Sequence, residues 1–275
     1  MRRRPLLVLA SLAVLLAATA VTGHAASVIK GRTWFPIGPA PISPGFGGVA
    51  AGRASVIAVN PSNPDEVFLG SATGGVWHTV DAGLSWDPIS DRTAALAIGA
   101  IALDPATCNA AGCGKIYVGT GENNLRRDTF YGRGLLVGVP EPGIFQGWAW
   151  QLKGESLFSL AAINDVVLDP STSGSSKRLY VAVSSGVTAS ATESTITGPA
   201  PAVGFGIYKS EDDGDTWTKM DVPNTDGAKP TDLEMDPQDS NRLFAGFLGK
   251  GIFRGTRDPM TGTIAWCPLN PGTGG

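Results

Sequence analysis

The stretch "HTVDAGLSWDPIS", residues 78–90, returns far downstream as "YKSEDDGDTWTKM", residues 208–220. Thr79, Asp81, Gly83, Ser85 and Trp86 match Ser210, Asp212, Gly214, Thr216 and Trp217 in type and spacing. These residue types describe a tight hairpin. A short acidic side chain accepts backbone N–H groups across a turn. A glycine takes backbone conformations that a side chain forbids, and a tryptophan buries about 2–3 kcal/mol of apolar surface between strands. The ten residues are therefore read as structural. Calcium is disfavoured at "SEDDGDTW", whose crowded carboxylates lack the spaced ligands and closing glutamate of a calcium loop, so no metal is expected.

Outward from the two hairpins, a longer unit repeats. Four segments open alike: "SVIAVNP" ending at Pro61, "GAIALDP" at Pro105, "NDVVLDP" at Pro170 and "DLEMDP" at Pro237. Each is followed by a second apolar run (66–70, 115–119, 178–182, 242–246) and a glycine-led third (74–79, 132–136, 204–210, 249–255). A tryptophan strand completes each unit (85–89, 148–152, 216–220, 265–269). Four short strands, four times over, with Gly, Pro, Asn and Asp between them, predict an all-β chain without long helices. Runs such as "VIAV" and "VVL", apolar on both sides, suit strands sandwiched between neighbouring sheets. Four-stranded sheets stacked around an axis make a β-propeller. The blades are expected at about 53–92, 96–155, 163–222 and 231–270 within a domain spanning 27–275. "TWFPIGP" (33–39) reads as a fourth strand without predecessors, which would complete a further, closing blade. The expectation is an incomplete ring, a fragment or a natural half, with missing blades or a partner chain at its open edge.

The two hairpin phrases resemble Asp-boxes, the bacterial neuraminidase repeats of sialidases, xyloglucanases, sortilin-type propellers and other secreted proteins. The similarity spans about residues 33–270 and implies a β-propeller, with the boxes as structural corners. The second and fourth units depart from it: "GVPEPGIFQGWAW" and "GTRDPMTGTIAW" keep the tryptophan and lose the aspartate.

The N-terminus reads as an address. Three arginines precede an uncharged apolar run from Pro5 to Val21, and small residues near Gly23, Ala25 and Ala26 offer a cleavage site, so residues 1–26 are expected to be a signal peptide. The predicted location is secreted, periplasmic or cell-surface, by bacterial-type export, with no membrane span after cleavage. Removing that segment leaves 18 basic against 24 acidic residues, a net −6 without a basic block, which argues against a nucleic-acid partner. Cys108 and Cys113 flank "NAAG" in an apparent turn, and an oxidising compartment would let them pair, adding about 2 kcal/mol on the loop-entropy model. Cys267 is either a buried free thiol or paired outside this chain.

In an up-and-down sheet the loops after strands two and four share one face, opposite the box hairpins. The first candidate there, "TGENNLRRDTFYGRG" (120–134), gathers Glu122, Asn123, Asn124, Arg126, Arg127 and Tyr131, a set able to hydrogen-bond a sugar or a carboxylate. The alternative is a solvated loop whose tyrosine packs on the rim. The Ser-, Thr- and Ala-rich segment 183–204 reads as a flap without chemistry. Trp148 and Trp150 could stack on sugar rings, but fourth-strand tryptophans are more often core.

Beyond residue 26 the one histidine is His78, which argues against a Ser-His-Asp triad or a histidine zinc site, and no phosphate loop or dinucleotide fingerprint occurs; no cofactor is expected. Glycoside hydrolysis needs only two placed carboxylates, and Glu122 and Asp128 lead the candidates, with Glu141, Glu155 and Asp165 as further material. Yet the sialidase Phe/Tyr-Arg-Ile-Pro signature is absent, "IFRGT" (252–256) sharing only the aromatic-arginine pair, and "TVDAGL" stands where xyloglucanases carry Asp-Val-Gly-Gly. The expectation is a non-catalytic binding or scaffold module that offers its loop face to a protein or glycan. A glycoside hydrolase or its remnant is the alternative, and a structural segment of a longer surface protein the third reading.

Overall fold

A computed structural model describes residues 53–122, 130–141, 147–185 and 204–269. The leader (1–26), the strand expected at 33–39 and most of segment 183–204 lie outside the described residues. The first sheet contains β1 (Ala54–Val59), β2 (Val67–Ser71), β3 (Val76–Thr79) and β4 (Asp87–Pro88). The second contains β5 (Ile98–Leu103), β8 (Ile116–Thr120), β9 (Leu135–Pro140) and β10 (Trp148–Lys153); between its first two strands a hairpin of β6 (Cys108–Asn109) and β7 (Gly112–Cys113) is closed by the Cys108–Cys113 disulfide. After the single-turn α1 (Glu155–Phe158) comes the third sheet: β11 (Ala161–Leu168), β12 (Leu179–Ser185), β13 (Gly206–Ser210) and β14 (Thr218–Lys219). The fourth is β15 (Pro230–Met235), β16 (Arg242–Phe247), β17 (Gly251–Arg257) and β18 (Ile264–Pro268). Each sheet runs antiparallel in sequence order, first strand to fourth. This is the β-propeller plan. Among the described residues no helix is long and apolar enough to cross a membrane.

The turn after each first strand has one local cause. Asn60, Asp104, Asp169 and Asp236 each accept the N–H two residues on, at 2.9–3.2 Å, and the proline between them cannot extend the strand.

Three apolar layers separate the four sheets, and period-two alternation decides which residues enter them. We call the side of a sheet that meets its successor the leading face, and the other the trailing face. Phe68, Tyr117 and Tyr180 are equivalent leading-face residues on the second strands, and all three are fully buried. Phe68 meets Ile98, Ile116 and Val118; Tyr117 meets Leu179 and Val181; Tyr180 meets Leu233, Leu243 and Ala245. Each ring contributes about 2–3 kcal/mol on burial. Polar ties cross the same interfaces. Lys177 reaches Asp104 at 2.8 Å with both side chains nearly fully buried. Asp213, in the third sheet's hairpin, accepts from Lys115 at 2.7 Å and from the Tyr117 hydroxyl at 2.5 Å, both on the second sheet.

All four first strands carry a β-bulge at the same place, between Ala54 and Val56, Ile98 and Ala100, Ile163 and Asp165, and Pro230 and Asp232. The bulged residue clasps the next sheet. Ser55 Oγ donates to the Ile98 carbonyl at 2.6 Å, and Asn164 Nδ2 donates to the Pro230 carbonyl at 3.1 Å. Gly99 takes this position in the second sheet because a Cβ there would lie 2.4 Å from the Ile163 carbonyl oxygen. The outermost faces differ: Ile57 and Val59 on the trailing face of the first sheet are 62% and 48% exposed, and Ile252 on the leading face of the fourth is 45% exposed. The expectation of strands apolar and covered on both sides therefore holds for the inner sheets and not for the outer surfaces of the first and fourth, which no sheet among the described residues covers.

Candidate functional site

The repeated hairpins superpose bond for bond. Thr79 and Ser210 donate to Asp81 and Asp212 at 2.7 and 2.8 Å, and the same hydroxyls accept from the N–H groups of Gly83 and Gly214 at 3.0 and 2.8 Å. Asp81 and Asp212 then accept both the N–H and the hydroxyl of Ser85 and Thr216. Gly83 and Gly214 sit at φ 87° and 90°, which glycine adopts without strain. Burial raises the Asp81 pKa, but the bonds from Ser85 and Thr79 outweigh it and hold the carboxyl at about 2; Asp212 is lowered by the same balance. Trp217 donates to the Gly214 carbonyl at 2.9 Å and packs edge-on against Phe158, while Trp86 is half-buried. With their acceptors filled from within the turn, these aspartates act as corner braces.

In the second and fourth sheets the Thr79/Ser210 position is Gly138 and Gly255, and the tryptophan takes the vacated space. A Cβ on Gly138 would lie 2.7 Å from the Trp150 ring, and one on Gly255 3.1 Å from Trp266. Loss of the aspartate and loss of the side chain beneath the indole thus go together.

At the loop end, Glu122 lies two residues beyond β8 and is 1% exposed. Its carboxylate pairs with the Arg53 guanidinium, and its N–H donates to the Phe130 carbonyl at 2.9 Å. Glu122 is thus enclosed, with a residue 69 positions upstream supplying a compensating charge. Tyr131 is half-buried. Asn123, Asn124, Arg126, Arg127 and Asp128 lie outside the described residues. Glu155 forms an exposed pair with Arg133. Asp165 accepts the N–H of Val166 at 2.9 Å and, across the sheet interface, that of Leu233 at 3.0 Å. Burial raises its pKa to about 7; the Leu233 N–H opposes the shift, while Asp232 and Glu234 add to it.

A cavity of about 440 Å³ lies at the opposite end, between the first and second sheets. Glu66 and His78 from the first sheet form its floor, Trp148 and Glu141 stand on the second, and the disulfide hairpin closes one side. His78 Nε2 lies 3.0 Å from Glu66 Oε1, and the imidazole stacks on Phe68 and meets Trp148 edge-on. Glu66 also accepts from Asn60 at 2.7 Å. Burial raises the Glu66 pKa, but the bonds from His78 and Asn60 prevail and keep it below the usual range. The cavity joins an indole to converging polar groups, which is how recesses for polar ligands are built. Sequence reasoning looked to the loop end and missed it. The signal available was the only histidine beyond the leader, placed on a strand cross-paired with Phe68. Trp148 and Trp150 both pack against the apolar layer between these sheets. Among the described residues no group of three or more His, Cys, Asp or Glu could hold a metal.

No family model matches the chain, and no curated protein matches it. Solved structures do. An ancestral GH74 enzyme aligns over 78% of this chain and 27% of its own, at 16% identity and a TM-score of 0.50. The GH74 enzyme of Niastella koreensis aligns over 78% of this chain and 30% of its own, at 20% identity and 0.50. An auxiliary nutrient binding protein from Bacteroides thetaiotaomicron aligns over 78% and 40%, at 12% identity and 0.48. The matched region is less than a third of either GH74 enzyme's length. The two enzymes support the β-propeller class for this chain.

Proposed function

We propose that the chain is an exported Asp-box propeller that binds a protein or glycan partner without transforming it. The observation that carries this reading is the cavity between the first two sheets, where Trp148, His78, Asp87 and Glu141 converge on a recess of about 440 Å³. Such a recess seats one sugar or one side chain between an apolar wall and hydrogen-bonding groups. Two of the carboxylates considered for hydrolysis support the same reading: Glu122 is sequestered with Arg53, and Glu155 is paired with Arg133 at the surface. Charge and the apolar N-terminal run support export. The test is a glycan and peptide array beside a panel of chromogenic glycosides. Retention without release is the expected result, weakened by Glu141→Gln with the melting temperature unchanged.

One observation favours the glycoside hydrolase alternative. A carboxyl held at about 7, as Asp165 is, stays protonated near neutrality and has the character of a general acid. Sugar release that disappears in Asp165→Asn would replace the binding reading with that one.

A further inference from the structure

Among the described residues two faces of the stack are left exposed, one at each end. On the leading side, Phe244 and Ile252 of the fourth sheet occupy the positions of Phe68 and Val76, Tyr117 and Leu135, and Tyr180 and Ile207, as the cross-strand registers show. The inner three pairs are fully buried; Ile252 is 45% exposed. On the trailing side, Ile57 and Leu69 of the first sheet occupy the positions of Leu233 and Ala245, each 1% exposed in the fourth. Ile57 is instead 62% exposed. The polar ties repeat as well. Thr231 is the fourth sheet's bulged residue, matching Ser55 and Asn164, and it is exposed. Asp232 matches Asp165, which reaches the Leu233 N–H of the next sheet. Arg254 matches Lys209, so a basic residue at that place is compatible with a covered leading face.

We infer that the leading face of the fourth sheet docks on the trailing face of the first sheet of a second copy, and that the reciprocal contact closes a two-chain ring to which the described residues contribute eight four-stranded sheets. The occupant is a second copy because the missing surface on each side is present on the other side of the same molecule. The aromatic needed over Ile57 and Leu69 is Phe244, the donor for the Ala54 carbonyl is Thr231, and the acceptor for the Ile57 N–H is Asp232. Such a head-to-tail contact forms a ring when its rotation closes, and eight sheets lie within the usual range of four to eight. The inference is independent of which ligand the cavity takes.

Sedimentation velocity across the micromolar range tests it, with circular dichroism and melting as controls for folding. The intact protein should run at twice the chain mass. Ile57→Asp and Ile252→Asp, each at an exposed position, should each give single chains of unchanged fold, weakening association about tenfold or more. Mixing the two variants should restore a two-chain species held by one intact contact, because the leading face of the Ile57→Asp chain and the trailing face of the Ile252→Asp chain are both unaltered. Single chains throughout, open-ended oligomers, or a two-chain species indifferent to both substitutions would overturn the inference.

Discussion

Asp165 gives the sharpest test of the sheet interface. Its pKa stands at about 7 against an ordinary 3.8, a rise set first by burial and then by Asp232 and Glu234. Below about pH 4 the carboxyl is protonated in the folded and unfolded chain alike and contributes no pH dependence. Between about 4 and 7 the unfolded chain releases its proton while the folded chain retains it, so this group makes stability fall as pH rises. Above 7 both states are ionised and the effect is flat. Roughly three pKa units correspond to about 4 kcal/mol at most, and solvent near the interface reduces that to about 2–3 kcal/mol. Asp165→Asn removes the titration. It also replaces an acceptor of two backbone amides by one with a single carbonyl oxygen, at a fixed cost of about 1 kcal/mol. Urea unfolding of both proteins from pH 4 to 8.5 should show the variant slightly less stable at the acid end and more stable at the alkaline end. Their difference should shift by about 2–3 kcal/mol, with most of the change between pH 4 and 7. A difference constant across that range would refute the placement of Asp165 against Leu233, Asp232 and Glu234.

Other perturbations probe separate elements. Asp81→Ala and Asp212→Ala each remove three bonds from a hairpin and should each cost about 1–2 kcal/mol in urea unfolding, adding in the double variant because the hairpins sit on different sheets. Gly99→Ala drives a methyl group into two backbone carbonyls, those of Gly121 and Ile163, and should cost about 3 kcal/mol or prevent folding, whereas the open Gly174→Ala should cost less than about 1 kcal/mol despite its positive φ. Gly138→Ala should displace Trp150, read as a change in near-ultraviolet circular dichroism together with a loss of about 1–3 kcal/mol. Replacing Cys108 and Cys113 by serine should cost about 2 kcal/mol and leave the far-ultraviolet spectrum unchanged.

Much of the sheet architecture was legible because its causes are local. The Asn-Pro and Asp-Pro turns, the glycine-led third strands and the paired hairpins all act within a few residues, so they repeat visibly along the chain. What joins one sheet to the next was not legible. The clasp from Ser55 to Ile98 and the reach of Asp213 to Tyr117 span 43 and 96 positions, and no short window contains both partners. Gly99 headed the apolar run "GAIALDP" with nothing beside it to show that it faces a carbonyl of the following sheet. The candidate site divided in the same way. Glu122 stood out in the sequence as a polar residue of a long loop, but its pairing with Arg53 is announced by nothing near it in the chain. The cavity needs Glu66, the disulfide hairpin and Trp148 together, and only the stacking of two sheets assembles them.

The stacking itself is the claim on which the account depends, and a double-mutant cycle between the second and third sheets measures it directly. Tyr117→Phe removes only a hydroxyl, and Asp213→Asn only a charge, from a pair whose oxygens lie 2.5 Å apart. Stacked sheets predict a coupling energy of about 1–3 kcal/mol between these two positions. Additivity to within about 0.5 kcal/mol would contradict it.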